Sequence, residues 1–215
     1  MNDIVRVLAS DLSTRWRAFE LLFAAHFRHQ CSMRVEVCGL KGNPLGTSEL
    51  SIVVQSDQVI DQNDNGSIPS RHLDENGRLK PASIVVCRRG FPVIDFFVYA
   101  NDGKKYFVQL SESNYENHSS HLPDLFKTRT INGEETSIFK YFANLTGAKF
   151  RANKPSKLCV GNMPDGYYYL YVTTKSAEQA RYTGRQYSHP DVLIVNGNAC
   201  KKIGASWNVP GLYDF

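Results

Sequence analysis

The segment FPVIDFFVYANDGKKYFVQLSES, residues 91–113, constrains the fold more than any other part of the sequence. It holds two apolar runs rich in aromatic and β-branched residues, and the turn sequence NDG between them predicts a β-hairpin. Three polar residues interrupt the pattern: Asp95 in the first predicted strand, and Gln109 and Ser111 in the second. Gln109 and Ser111 are two residues apart and therefore share one face, and Asp95 can meet Gln109 across the hairpin.

The other apolar patterns predict an α/β or α+β domain with one mixed sheet flanked by helices. Further strands are predicted at MRVEVCGL, ELSIVVQS, ASIVVCRRG, GYYYLYVTTK and DVLIVNG, and helices at STRWRAFELLFAAHFRHQ and EETSIFKYFANLTG. The length of 215 residues suits a single domain over residues 1–215. A polar stretch near residues 57–81, rich in Asp, Asn and Gly, predicts a surface loop insertion.

The first predicted helix carries a carboxylate on its apolar side. At 100° per residue, one stripe of this helix holds Leu12, Trp16, Phe19, Phe23 and Phe27. Glu20 falls on the same stripe, where burying its charge is costly unless a partner satisfies it. Glu20 either reaches Arg17 or solvent at the edge of the core, or belongs to a site.

Composition narrows the classes of protein without selecting one. The formal net charge of +4 is compatible with a nucleic-acid partner, although many proteins of this charge bind none. Five cysteines, odd in number and without a C-x-x-C pair, argue against a zinc site and against a disulfide framework. Reduced thiols in turn indicate an intracellular protein. No apolar run approaches the roughly 18 residues of a membrane span, and no signal peptide is evident at the N-terminus.

The polar residues of the helix and the hairpin together predict a metal site. Glu20, Asp95 and Gln109 offer two carboxylates and an amide oxygen, which suit a hard cation such as Mg²⁺ or Mn²⁺. Such an ion can orient a water and offset charge on a phosphate. Taken singly, Asp95 could be a turn or edge residue, and Gln109 and Ser111 could be ordinary sheet residues.

The order of these motifs resembles the PD-(D/E)xK nuclease superfamily, and more closely the nuclease-type domain of Crinkler effectors and of trypanosome retrotransposon hot spot proteins. The similarity rests on RAFE ending at Glu20, FPVID ending at Asp95, and QLSESNYENH, which runs from Gln109 to His118. The segments GYYYLYVTT and RQYSHPDVLIV are similar to the closing elements of that family. The resemblance spans about Trp16 to Val195 and implies a restriction-endonuclease-like fold.

The resemblance also implies roles for the site residues. Glu20, Asp95 and Gln109 would hold Mg²⁺ or Mn²⁺, Ser111 would position the water or the scissile phosphate, and His118 would assist as a base or phosphate contact. The superfamily's E-x-K motif reads Q-L-S here, so the charge of its lysine is missing.

The residues around this motif do not replace the missing lysine. Lys104 and Lys105 are expected at the solvated end of the hairpin, too far away to supply the charge. Glu112 is expected on the face opposite Ser111, and it is therefore not expected to be a ligand.

Basic residues suggest how a nucleic acid would be held. Phosphate contacts are predicted from Arg88 and Arg89, and from Lys149, Arg151 and Lys154 in the basic segment KFRANKPSK, whose Phe150 could stack on a base. Taken singly, each of these residues could equally belong to an ordinary soluble loop.

Two main functions follow from these observations. The first is a metal-dependent nuclease, or a nuclease-derived effector, that hydrolyses phosphodiester bonds in nucleic acid, with DNA favoured. The alternative is a catalytically degenerate module of the same fold that binds nucleic acid or protein. A third hypothesis is a structural interaction domain in which the polar residues are scattered. A nuclear location, in a host cell if the chain is a secreted effector, and a homodimer are compatible with the first two.

Overall fold

An eight-stranded mixed β-sheet forms the centre of the computed structural model. The structure describes residues 15–39, 47–113, 121–148, 163–175 and 191–204. The strands are β1 (Ser32–Gly39), β2 (Thr47–Val53), β3 (Val59–Asp61), β4 (Ser83–Val86), β5 (Phe96–Tyr99), β6 (Lys105–Ser111), β7 (Thr128–Ile131), β8 (Glu134–Ser137), β9 (Tyr167–Thr173) and β10 (Val192–Val195). The α-helices are α1 (Arg15–Gln30), α2 (His121–Asp124), α3 (Ile138–Leu145) and α4 (Gly197–Gly204). Two 3₁₀ turns cover Ser56–Gln58 and Ser70–His72.

The sheet order is β2-β1-β10-β9-β6-β5-β4-β3, and β7 pairs with β8 in a separate hairpin. The pairs β10/β9, β9/β6 and β3/β4 are parallel, whereas the remaining neighbours are antiparallel. This mixed sheet with flanking helices confirms the predicted α/β class.

Helices cover both faces of the sheet and create two apolar layers. On one face, α1 and α4 pack over β1, β6 and β9, and the rings of Phe23 and Phe96 lie 5.0 Å apart. On the other face, α3 packs over β5 and β6, and Phe97 stacks on Phe142 at 4.3 Å. Side chains of β5 and β6 therefore alternate between the two layers, as expected for strands buried on both sides.

The predicted hairpin is confirmed as β5 and β6. Phe96 lies opposite Val108, and the two strands are antiparallel. At the turn, Gly103 has a φ of +86°, which a residue without a Cβ adopts at little cost. Asp102 accepts a hydrogen bond from the Lys104 amide at 3.0 Å. Asp95 lies one residue before the start of β5 rather than inside the strand.

The predicted loop insertion contributes an edge strand to the main sheet. Residues 59–61 form β3, which runs parallel to β4 with Val59 opposite Ile84. Three residues are too few to show an alternating pattern, and only Ile60 among them is buried. The polar composition of the segment therefore did not predict this strand.

The second predicted helix is shorter than its apolar pattern suggested. Glu134–Ser137 forms β8, and α3 begins at Ile138 because the Ser137 hydroxyl accepts a hydrogen bond from the Lys140 amide at 3.1 Å. Helix α4 was not predicted. No helix within the described ranges is long and apolar enough to cross a membrane.

Candidate active site

A cleft of about 610 Å³ lies at the end of the sheet where β5 begins and β6 ends. Helix α1 forms one wall, and the connection between β4 and β5 forms another. Its lining includes the four site residues predicted from the first helix and the hairpin: Glu20, Asp95, Gln109 and Ser111. The fold thus brings side chains from three separate segments into one concave site, as is typical of ligand-binding pockets.

Asp95 is held by hydrogen bonds of both its main chain and its side chain. Its amide donates to the Val108 carbonyl at 2.9 Å, and its own carbonyl accepts from the Cys87 amide at 2.9 Å. Its Oδ2 accepts from the Leu110 amide at 2.7 Å. The carboxyl group therefore takes the place of a main-chain acceptor at the start of the hairpin, which fixes its position in the cleft.

Glu20 reaches the cleft from the middle of α1. Its Oε2 lies 2.6 Å from Nη1 of Arg17, one helical turn earlier, and the Glu20 side chain is 16% exposed. The contact between Glu20 and Arg17 was one of the predicted alternatives. Glu20 makes this contact and also lines the cleft.

The carboxyl groups of Glu20 and Asp95 lie in the same cleft, close enough for each to shift the pKa of the other. Burial raises the pKa of Asp95 to about 7; the Leu110 amide opposes this rise, and the negative charge of Glu20 adds to it. Burial also raises the pKa of Glu20, although the Arg17 guanidinium offsets part of that effect. The pKa of each carboxyl group is therefore above its ordinary value, and the two groups titrate as a pair.

The thiol of Cys87 is a third titratable group near this pair. Burial raises its pKa well above the ordinary value, and the negative charges of Asp95 and Glu20 raise it further. The thiol therefore stays protonated at neutral pH and is a poor nucleophile.

Gln109 and Ser111 line the cleft, but they also bond to tyrosines of the neighbouring strand β9. The Gln109 Oε1 accepts a hydrogen bond from the Tyr169 hydroxyl. The Ser111 hydroxyl accepts from the Ser113 amide at 3.0 Å and forms a hydrogen bond with Tyr171. Gln109 thereby satisfies the buried Tyr169 hydroxyl, whereas the Tyr171 hydroxyl donates to the Ser113 carbonyl at 2.9 Å. These contacts explain an amide and a hydroxyl in an apolar hairpin. The roles of Gln109 and Ser111 as metal ligand and water-positioning group stay predictions.

Two of the predicted phosphate contacts lie at the cleft. Arg88 and Arg89 line it and are exposed, and neither forms an ion pair with another residue in the described part of the chain. The positive charge of Arg89 lowers the pKa of Glu20, although less than Arg17 does. The other predicted contacts lie outside the described residues: His118, Lys149, Arg151 and Lys154.

The cleft also contains residues that the sequence did not indicate. Glu112 lines it, although strand alternation predicted the opposite face from Ser111. Strand β6 ends at Ser111, so the alternation does not extend to the next residue. The loop insertion contributes Asp61, whose carboxylate accepts two hydrogen bonds from Nη2 of Arg28 at 2.6 and 2.8 Å.

Gln62 connects this loop to the wall that carries the arginines. Its Oε1 accepts from the Arg88 amide at 3.1 Å, and its Nε2 donates to the Gly66 carbonyl at 2.5 Å. The hydroxyl of Tyr141 also donates to the Gly66 carbonyl, at 3.1 Å. The insertion thereby fixes the main chain at Arg88. The sequence did not predict this role, because the insertion is polar and shows no periodicity.

The donor set fits a magnesium-type ion with few protein ligands. Among the residues that the structure describes, no group of three or more His, Cys, Asp or Glu side chains is arranged to hold a metal. Glu20 and Asp95 provide two neighbouring carboxylates in the cleft. Mg²⁺ commonly binds through one or two carboxylates and completes its shell with waters and substrate phosphates. A cation there would also relieve the repulsion that two adjacent carboxylates feel when both are ionised.

Comparison with known proteins adds no assignment, because the chain matches no family model, no curated protein and no solved structure.

Proposed function

We propose that this protein is a metal-dependent nuclease, or a nuclease-derived effector domain, that hydrolyses phosphodiester bonds in DNA. The observation that carries the proposal is the meeting of the Glu20 and Asp95 carboxyl groups in a cleft that exposed arginines line. It agrees with the motif order that resembles Crinkler-type and PD-(D/E)xK nucleases. A carboxylate pair suits Mg²⁺ or Mn²⁺, and cationic side chains beside it suit a phosphate group.

Each side chain has a role that its position supports. Glu20 and Asp95 would hold the ion, which would supply positive charge to activate a water and to offset charge on the phosphate. Asp95 would be ionised when the site is loaded, since its pKa of about 7 allows this near neutral pH. Arg88 and Arg89 would bind phosphate oxygens of the DNA backbone.

Gln109 and Ser111 also line the cleft, and their proposed roles concern the ion and the phosphate. The Gln109 oxygen has a second lone pair beside the one that Tyr169 uses, so it can still face the ion. Ser111 would orient the water or the scissile phosphate. His118, Lys149, Arg151 and Lys154 keep the roles that the resemblance and the basic segment predicted for them.

A binding module without turnover is the second candidate. Gln109 and Ser111 stand at the positions of the E-x-K motif, and both form hydrogen bonds with tyrosines. These bonds favour a module that does not cleave. No lysine is among the described residues that line the cleft, so the positive charge of that motif would have to come from an arginine. Such a module would keep the phosphate contacts and bind DNA or protein without cleaving it.

A cleavage assay separates these functions. The purified chain is incubated with supercoiled plasmid and with end-labelled oligonucleotides, in Mg²⁺ or Mn²⁺ and in chelator. Cutting that requires the cation is the expected result. Binding that weakens with salt but never leads to cutting would support the module without turnover. Neither binding nor cutting, at low salt and with either cation, would contradict both.

A further inference from the structure

Trp16 lies at the mouth of the cleft rather than in the core. The apolar stripe of α1 placed it beside Phe19 and Phe23, which are buried, yet Trp16 is 42% exposed and lines the cleft. It lies in the first turn of α1. A single exposed aromatic ring is ordinary, so the position of this ring is what matters.

The position relates the ring directly to the acid pair. Trp16 and Glu20 are four residues apart, hence on one face of α1 and about 6 Å apart along its axis. Arg17 follows Trp16 and holds the Glu20 carboxylate at 2.6 Å. Arg88 and Arg89 line the same cleft. Proteins that bind single-stranded nucleic acid combine aromatic rings, which stack on bases, with cationic side chains, which contact the phosphates.

We propose that the indole of Trp16 stacks on an unpaired nucleobase next to the phosphate held at Glu20 and Asp95, so that the substrate is single-stranded DNA or carries an unpaired nucleotide there. In the interior of a duplex both faces of each base are covered by neighbouring bases, so that a protein ring reaches one only after unstacking. A strand with an unpaired nucleotide can place a phosphate at the cation site of Glu20 and Asp95 and a base against the indole of Trp16. This inference rests on the proposed function, because it names the form of DNA that the same site takes.

Tryptophan fluorescence reports the stacking without any need for cleavage. The chain has two tryptophans, Trp16 and Trp207, so Trp207→Phe leaves Trp16 as the sole indole. In Ca²⁺, a hard cation that takes the same oxygen ligands, this variant is titrated with single-stranded dT8, with a duplex of about 20 base pairs that stays paired at the assay temperature, and with an octamer of abasic deoxyribose phosphates. Single-stranded dT8 is expected to quench the emission of Trp16, whereas the duplex and the abasic strand do so weakly or not at all. Equal quenching by all three probes, or none by dT8, would overturn the proposal.

Variants of Trp16 test the same contact through affinity. Trp16→Ala should weaken binding of single-stranded dT8 by about tenfold, because stacking of one base is lost. Trp16→Phe should restore part of that loss, and the affinity for the abasic octamer should stay unchanged in both variants. An unchanged affinity of Trp16→Ala for dT8 would contradict the stacking.

The outcomes also separate this inference from the proposed function. If wild-type protein never cuts DNA but dT8 quenches Trp16, the stacking holds and the nuclease proposal fails. If wild-type protein cuts DNA while Trp16→Ala binds and cuts single strands as well as wild type, the nuclease proposal holds and the stacking fails.

Discussion

Asp95→Asn is expected to lower cation-dependent DNA cleavage by at least about a thousandfold, equivalent to roughly 4 kcal/mol of transition-state stabilisation. Asparagine keeps the size of the side chain and an oxygen that can accept the Leu110 amide, which now donates to Asp95 at 2.7 Å. It removes the negative charge that would hold the ion beside Glu20. The measurement is the initial rate of cutting of a labelled oligonucleotide in Mg²⁺ and in Mn²⁺.

Asp102→Asn is the matched control for this substitution. Asp102 belongs to the same hairpin but lies in its turn, at the opposite end from the cleft, where it pairs with Lys104 at 2.7 Å. The control should cut DNA at the wild-type rate. If Asp95→Asn retained more than about a tenth of the wild-type rate while remaining folded, the role assigned to the carboxyl pair would be wrong.

The second large effect concerns stability in the absence of a cation. The pKa of Asp95 is raised to about 7 in the folded protein from an ordinary value of 3.8, because the carboxyl is buried beside Glu20. The folded state therefore binds more protons than the unfolded state between about pH 4 and pH 7. The contribution of Asp95 is fully present below pH 4 and is lost as the pH rises through 7. The loss amounts to roughly 2 to 4 kcal/mol in the free energy of unfolding.

Asparagine at position 95 cannot ionise, so Asp95→Asn should lack this loss. In chelator, urea unfolding of wild type and variant is compared at pH 5 and at pH 8. The variant should gain stability relative to wild type on going from pH 5 to pH 8. A difference between the two proteins that is the same at both pH values would show that Asp95 ionises normally in the folded state.

The sequence predicted the parts of the fold whose residues show a period. The apolar spacing in α1 and the two apolar runs of the hairpin were enough to place both elements, and Gly103 marked the turn between them. Strand β3 and helix α4 were missed because three residues show no alternation and because α4 is short and polar on one side. The pairing of β6 with β9 could not be predicted, since about 60 residues separate these strands in the chain.

The sequence predicted the two acidic residues of the site but not the residues around them. Glu20 and Asp95 drew attention because each is a carboxylate among apolar residues, and the fold brings the two together. The tyrosine partner of Gln109 depends on the non-local neighbour β9, which no local pattern reveals. Trp16 obeys the helical period yet is exposed, because the period predicts a direction around the helix and not how far the sheet extends beneath it. Glu112 lies beyond the last residue of β6, where alternation has ended.

The central claim is that the Glu20 and Asp95 carboxyl groups form one cation site in the cleft. Its most direct test is an anomalous diffraction map of a crystal soaked with Mn²⁺ at pH 8, where Asp95 is ionised, together with the same map for Asp95→Asn. We expect one strong anomalous peak within coordination distance of both carboxylates in the wild-type crystal and none there in the variant. Manganese that binds elsewhere while this pair stays without a peak, or carboxylates that lie too far apart to share one ion, would contradict it.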